Sequence, residues 1–216
     1  MQVLFGISLD VKPNDIVVLI GPNGAGESTL LKSVFNLVDI YKGRIIFKNK
    51  NITKMPTHEL IELGLVKVDG RDFSVLEEWE IKIKPRHLEL ADPEALRINH
   101  YSEKGWQEAV ELETALKIFL EKTANTILVG HNLLFDWFHI HKALAERNLK
   151  PTFYYKGLDT FSFGWQKLRQ LPDFQNLSLS EMASYFGVSQ EKPHSALDDA
   201  RTTYEVFLKL LENESR

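Results

Sequence analysis

The sequence predicts an α/β fold, a sheet flanked by helices, behind an N-terminal strand–loop–helix fragment. Three observations carry this. Two short apolar runs, IVVLI (16–20) and TILVG (126–130), are bounded by polar or turn residues and read as buried strands. The segment FSVLEEWEIKIKP (73–85) alternates apolar and charged residues, the period of a half-buried strand. Several longer segments repeat their apolar residues at helical spacing. The 216 residues are 44% hydrophobic and 26% charged, a globular composition. There are no cysteines, which excludes disulfides and thiolate zinc sites. The net charge of −4 and the lack of a basic stripe mean that any nucleic-acid contact has to come from a local groove. The start carries no signal-peptide pattern and the longest apolar run is too short to cross a bilayer, so no membrane insertion and a cytoplasmic location are expected.

Taken in order, IVVLI is followed by GPNGAGES (21–28) and then by STLLKSVFNLV, whose apolar residues fit a helix. Strand, glycine loop and helix is the setting of a phosphate-binding loop, with Gly21, Asn23, Gly24, Gly26, Ser28 and Thr29 at its positions. Glu27 stands where that loop calls for lysine. Replacing a positive by a negative charge at about 4 Å from phosphate, with an effective dielectric near 20, costs roughly 4 kcal/mol per unit charge pair. ATP binding is therefore not expected. Residues 1–65 resemble the ABC-type ATPases that serve branched-chain amino-acid transporters, through LFGISLDVKPNDIVVLIGPNGAG, STLLKSV, GRIIFKNKNIT and MPTHELIELGL. The family's apolar strand ending in Asp-Glu and its LSGGQ string are both missing.

Beyond residue 60, ELIELGLVKVDG reads as a strand ending in an Asp69-Gly70 hairpin signal. Strand 73–85 follows. GWQEAVELETALKIFLEK is an amphipathic helix, TILVG a buried strand and HNLLFDWFHIHKALAERN another helix. FYYKGLDTFS reads as a strand with its exit loop, and LSLSEMASYFG and SALDDARTTYEVFLKLLEN as two closing helices.

Two hexapeptides carry chemistry: His131-Asn-Leu-Leu-Phe-Asp136 and His194-Ser-Ala-Leu-Asp-Asp199. In each, Asn132 or Ser195 is placed to cap a helix, and Ser195 with Asp198 has capping-box spacing. Each aspartate is then the fourth helical residue, and the spacing brings each imidazole near its carboxylate. A helix N-terminus favours an ionised carboxylate, and such carboxylates suit hard cations. One such pattern alone is more often capping than chemistry; two together point to a site.

Residues 60–213 resemble DEDDh 3′→5′ exonucleases of the DNA polymerase III epsilon-subunit type. The resemblance rests on ELIELGLVKVDG, VGHNLLFDWFHI, GLDTFS, LSLSEMASYFGV and HSALDDARTTYEVF, in that order. It implies a ribonuclease-H-like mixed sheet flanked by helices and removal of nucleotides from the 3′ ends of single-stranded DNA or RNA, with a DNA polymerase complex as a partner. It also implies Mg²⁺ or Mn²⁺ as cofactor, two ions in the family and one or none here. By resemblance Asp136 and Asp199 are metal carboxylates and His194 is the general base, while Asp159 is a turn or cap residue.

The family's first motif, a strand ending in D-x-E, is missing. Lys48, Asn49, Lys50 and Asn51 stand in its place. The expected organisation is a truncated ATPase-like strand–loop–helix over 1–43 joined, chimera-like, to an exonuclease-like unit over 44–213. Residues 44–48 would pair with 60–68 as a surrogate first strand, and acidic residues at 49 and 51, or at 48 and 50, would rescue activity. Activity is expected to be impaired. A non-catalytic nucleic-acid-binding module and an ATP-binding transporter component are the alternatives.

Overall fold

The computed structural model describes residues 3–12, 15, 17–22, 24–34, 38–47, 50–53, 61–86, 88, 96–97, 100–171, 176–191 and 195–212. The chain divides into two units, Met1–His58 and Glu59–Arg216. The sequence had suggested a division at residue 43.

In the first unit, α1 (Glu27–Val34) begins directly after the glycine loop, as expected. The strand expected before it does not form: the described residues 17–20 have no strand pairing, and Ile20 is 88% exposed. A strand is stable only with neighbours that ladder to it, and the described residues of this unit supply none for that run. Helix α1 has no buried residue either. Further on, β1 (Ile46–Phe47) pairs antiparallel with β2 (Lys50–Asn51) in the register Phe47↔Lys50. Among the described residues the ladder made by Ile46 and Phe47 is this local hairpin, and residues 48 and 60 of the expected surrogate pairing lie outside the described residues. A two-residue connection closes with little loss of chain entropy, which favours the local partner.

In the second unit, β3 (Glu62–Val68) and β4 (Val75–Lys82) form the antiparallel hairpin foreseen at Asp69-Gly70. The turn is closed by Asp69 N donating to Ser74 O at 2.9 Å. Helix α2 (Leu112–Lys122), β5 (Leu128–Gly130) and α3 (Leu133–Glu146) follow. Strand β6 (Gly157–Asp159) lies parallel to β5. The segment read as an exit loop is instead helix α4 (Thr160–Leu168). Helices α5 (Leu179–Phe186) and α6 (Ala196–Glu212) complete the unit.

The parallel pair and the antiparallel pair, with helices packed around them, make the mixed α/β arrangement expected. The core is in two parts. Leu63 and Ile83 of the hairpin pack with Leu116, Phe119 and Leu144 of α2 and α3. Leu168, Met182, Val206 and Leu210 join α4, α5 and α6. Each part buries several large apolar side chains at about 1.5–3 kcal/mol apiece, the main force holding the helices to the strands. No described helix is long and apolar enough to cross a membrane.

Candidate active site

The start of α6 is fixed by strand residues far away in sequence. Its first N–H groups have no intrahelical partners and need acceptors. Glu62 of β3 accepts from Ala196 N at 3.1 Å, and Glu80 of β4 accepts from Ser195 Oγ at 3.1 Å. Burial raises the Glu62 carboxyl above its ordinary value, opposed by the Ala196 bond and raised further by the Glu80 charge. Arg201 then ties α6 to β4, donating from Nε to Glu78 at 3.1 Å and from Nη1 to Asp198 at 2.9 Å. Gly64 is needed here for space. A Cβ on it would overlap the Ala196 carbonyl carbon and the Leu197 nitrogen. Ser195 and Asp198 thus bond to Glu80 and Arg201 rather than forming the expected capping box.

The start of α3 is set differently. Asn132 was expected to cap it. Instead Asn132 adopts the left-handed conformation (φ 60°, ψ 46°) with no side-chain cap bond, and its backbone N donates to Asp159 Oδ1 at 2.9 Å. Asparagine tolerates this conformation better than most residues. Asp159 also caps α4, accepting from Phe161 N at 3.1 Å, so one carboxylate serves two segments. Close approach at Gly157 completes the arrangement: a side chain there would strike Leu133, the first residue of α3.

The partners described for His131 are Thr160, Asp159 and Leu177, where its spacing suggested Asp136. Its Nδ1 lies 3.0 Å from Thr160 Oγ1, and the carboxylate whose charge it feels is Asp159. Burial depresses the His131 pKa, partly offset by Asp159 and by a hydrogen bond with the Leu177 backbone.

Asp136 and Asp199, each the fourth residue of its helix, come together. Both line one cavity with Glu62 and His131. Asp136 is raised from 3.8 to about 6, mainly because protein crowds it, and further by the charges of Asp159 and Asp199. The residue nevertheless remains exposed at the cavity. Water reaching it screens part of that interaction, so the direction is firmer than its energetic weight.

A pair of aspartate carboxylates is a hard-oxygen donor set. Yet among the described residues no group of three or more His, Asp or Glu side chains could hold a metal ion. The pair alone does not fit the two-ion arrangement expected of the resemblance. His194 lies outside the described residues, as does Asn23 of the glycine loop.

The remaining loop residues are placed as a turn entering a helix. Gly24 and Gly26 have φ of +88° and +102°, and Leu30 N donates to Gly26 O at 2.9 Å. The Glu27 side chain folds back against Gly21, and Ser28 and Thr29 lie in the first turn of α1.

Sequence reasoning missed Glu62 and Glu80 as anchors of α6. The available signal was a glutamate on each strand at the open end of the hairpin, in the register Glu62↔Lys82 and Gly64↔Glu80.

Comparisons with known proteins bear on the family and the fold. The sequence profile described as Exonuclease, RNase_T, matches residues 49–207, starting earlier than the expected residue 60. A DNA polymerase III PolC-type of Thermotoga petrophila is 29% identical over 159 residues, 71% of this chain and 11% of that protein. A probable branched-chain amino acid transport ATP-binding protein LivF of Archaeoglobus fulgidus is 38% identical over 72 residues, 33% of this chain and 30% of that protein. The chain thus spans less than a third of the length of either curated relative. Among solved structures, the nuclease domain of 3′hExo, a DEDDh family member bound to rAMP, superposes with a TM-score of 0.61 at 14% identity, covering 79% of this chain and 88% of that one. At that identity the likeness establishes the ribonuclease-H-like fold.

Proposed function

The chain belongs to the RNase_T exonuclease family, and from that premise we propose that its second unit is a 3′→5′ exonuclease module of the DEDDh proofreading type whose turnover is impaired. Its substrates in this reading are the 3′ ends of single-stranded DNA or RNA. The observation that carries it is the meeting of Asp136 and Asp199 in one cavity, from helix starts 63 residues apart. Family chemistry uses divalent cations to activate water and stabilise the leaving oxygen. The first D-x-E pair that would complete the ligand set is replaced by Lys48–Asn51. Asp136 and Asp199 are the metal carboxylates of this reading, His194 its general base, and Mg²⁺ or Mn²⁺ its ion.

A second reading, a non-catalytic nucleic-acid-binding remnant, draws on one observation: no described group of three metal-ligating side chains exists. In either reading the first unit is a remnant of a nucleotide-binding segment that no longer serves ATP, since Glu27 folds against its own loop at Gly21. A DNA polymerase complex and a cytoplasmic setting belong to the same proposal.

The test uses 3′- and 5′-labelled single-stranded DNA and RNA in Mn²⁺, with Asp199→Ala beside the parent. Slow shortening from the 3′ end that Asp199→Ala abolishes supports the nuclease reading. Binding without shortening supports the remnant. Shortening untouched by Asp199→Ala overturns the assignment of the site. A nucleotide titration of the parent and Glu27→Lys tests the ATPase alternative, which requires ATP affinity restored by the substitution.

A further inference from the structure

The second unit holds a cavity of about 1160 Å³ between two sheet edges. Strand β3 lines it along its whole length, Glu62 to Val68, and β5 lines it from Leu128 to Gly130. Among the described residues β3 ladders with β4 alone and β5 with β6 alone. Each strand therefore turns an unladdered edge of N–H and C=O groups to the cavity. Backbone groups left without partners inside protein are costly, and an unpaired edge is a template for another strand. One extended chain lying between them would satisfy both rows.

The dimensions agree. A strand of seven residues, the length of β3, rises about 3.3 Å per residue, lies about 4.8 Å from its neighbour and fills about 10 Å between packed layers, on the order of 1,100 Å³.

The lining specifies the chemistry of the occupant. The walls are apolar, with Leu65, Phe119, Val129, Leu158 and Phe207 among them. One end is acidic. Helix α6 runs beside β3, from Ala196 bonded to Glu62 to Tyr204, whose hydroxyl donates to Phe73 O at 2.8 Å. That direction puts Asp199 at the Glu62 end, and Asp136 is close enough to feel the Asp199 charge. A cationic side chain is the complement of such an end.

We propose that this cavity is a strand-acceptor site: it binds an extended peptide segment of a partner protein, apolar over about five to seven residues, with a basic residue at the end lying against Asp136 and Asp199. Recognition is by strand addition on two edges at once. Backbone bonds supply affinity, and the apolar walls and acidic end supply specificity. The site shares Asp136 and Asp199 with the proposed nuclease site, so peptide and nucleic acid exclude one another there, and thiol protection reads peptide binding without any cleavage.

The chain has no cysteine, so single thiols report on the cavity. Leu65→Cys and Val129→Cys place one on each wall. The probe is a synthetic peptide with a valine/isoleucine run followed by lysines. Its controls carry prolines within the run, which cannot ladder, or aspartates in place of the lysines. With both variants folded by circular dichroism, the lysine peptide at roughly ten times its Kd slows alkylation of both thiols about tenfold. The proline peptide leaves the rate unchanged and the aspartate peptide binds more weakly. Unchanged labelling at about 1 mM lysine peptide, or equal protection by the proline peptide, overturns the proposal.

Discussion

Gly64→Ala isolates the contact that sets Asp199 in place. The added Cβ meets backbone atoms of Ala196 and Leu197, which cannot swing aside as a side-chain tip would. The start of α6 has to retreat on the order of 1 Å to restore carbon–carbon contacts near 3.5–4.0 Å. Overpacking of this kind costs typically 1–3 kcal/mol. The retreat also stretches the 3.1 Å bond from Ala196 N to Glu62, a bond to a charged group worth about 1.5 kcal/mol. Together the loss is about 2–4 kcal/mol. Urea unfolding followed by tryptophan fluorescence reads it cleanly, because Trp79, Trp106, Trp137 and Trp165 all lie in the second unit. The midpoint should fall with the slope unchanged. Adding Glu62→Gln to Gly64→Ala should cost less than the two single losses summed, since the retreat already weakens that bond. A Gly64→Ala chain within about 0.5 kcal/mol of the parent would refute the close approach of α6 to β3.

Asp136→Asn should stabilise the chain more at pH 8 than at pH 4. The folded state holds the Asp136 proton more tightly than the unfolded state does, with a pKa of about 6 against 3.8. That stability is complete below about pH 4 and is lost as pH rises through 6. In a dry site the shift would be worth about 3 kcal/mol; with solvent at the cavity about 1 kcal/mol is expected, and an equal effect at both pH values contradicts it. His131→Asn should reduce the parent's loss of stability in mild acid. Its folded pKa is depressed, so stability present above the ordinary histidine value is lost as pH falls; urea midpoints at pH 5 and 8 check this, and an unchanged acid slope counts against it. Arg201→Met should lower the urea midpoint at low salt and shrink the parent's sensitivity to added salt, because its bonds to Glu78 and Asp198 lie at the solvent-facing surface.

Much of the second unit was legible because its signals are local. The alternation of 73–85 gave β4, and helical spacing gave α3, α5 and α6 with ends within a few residues, while α2 begins at Leu112 rather than at Gly105 where the amphipathic segment starts. Ser178 and Glu181 form a capping box of the kind a sequence can show. Helix α4 was not legible as a helix: TFSFGWQKL is aromatic-rich and contains Gly164, and it is held by packing against Met182, whose side chain fills the space beside that glycine. The run at 16–20 has strand character, but a strand is a property of a pair, and its sequence cannot show that the described residues offer no partner. Asp136 and Asp199 were found because each sits beside its own helix-start signal. Their anchors were not, because Glu62 and Ala196 are 134 residues apart and only the folded hairpin places them together. The same limit applies to His131, whose partner is Asp159 on β6 rather than the aspartate five residues on.

The most direct test of the shared carboxylate pocket is a carbon-13 NMR titration of the Asp136 side chain, in the parent and in Asp199→Asn, without metal. The account predicts an apparent pKa near 6 in the parent that falls once the Asp199 charge is gone. An Asp136 that titrates in the ordinary aspartate range, or one whose pKa ignores Asp199→Asn, would contradict it.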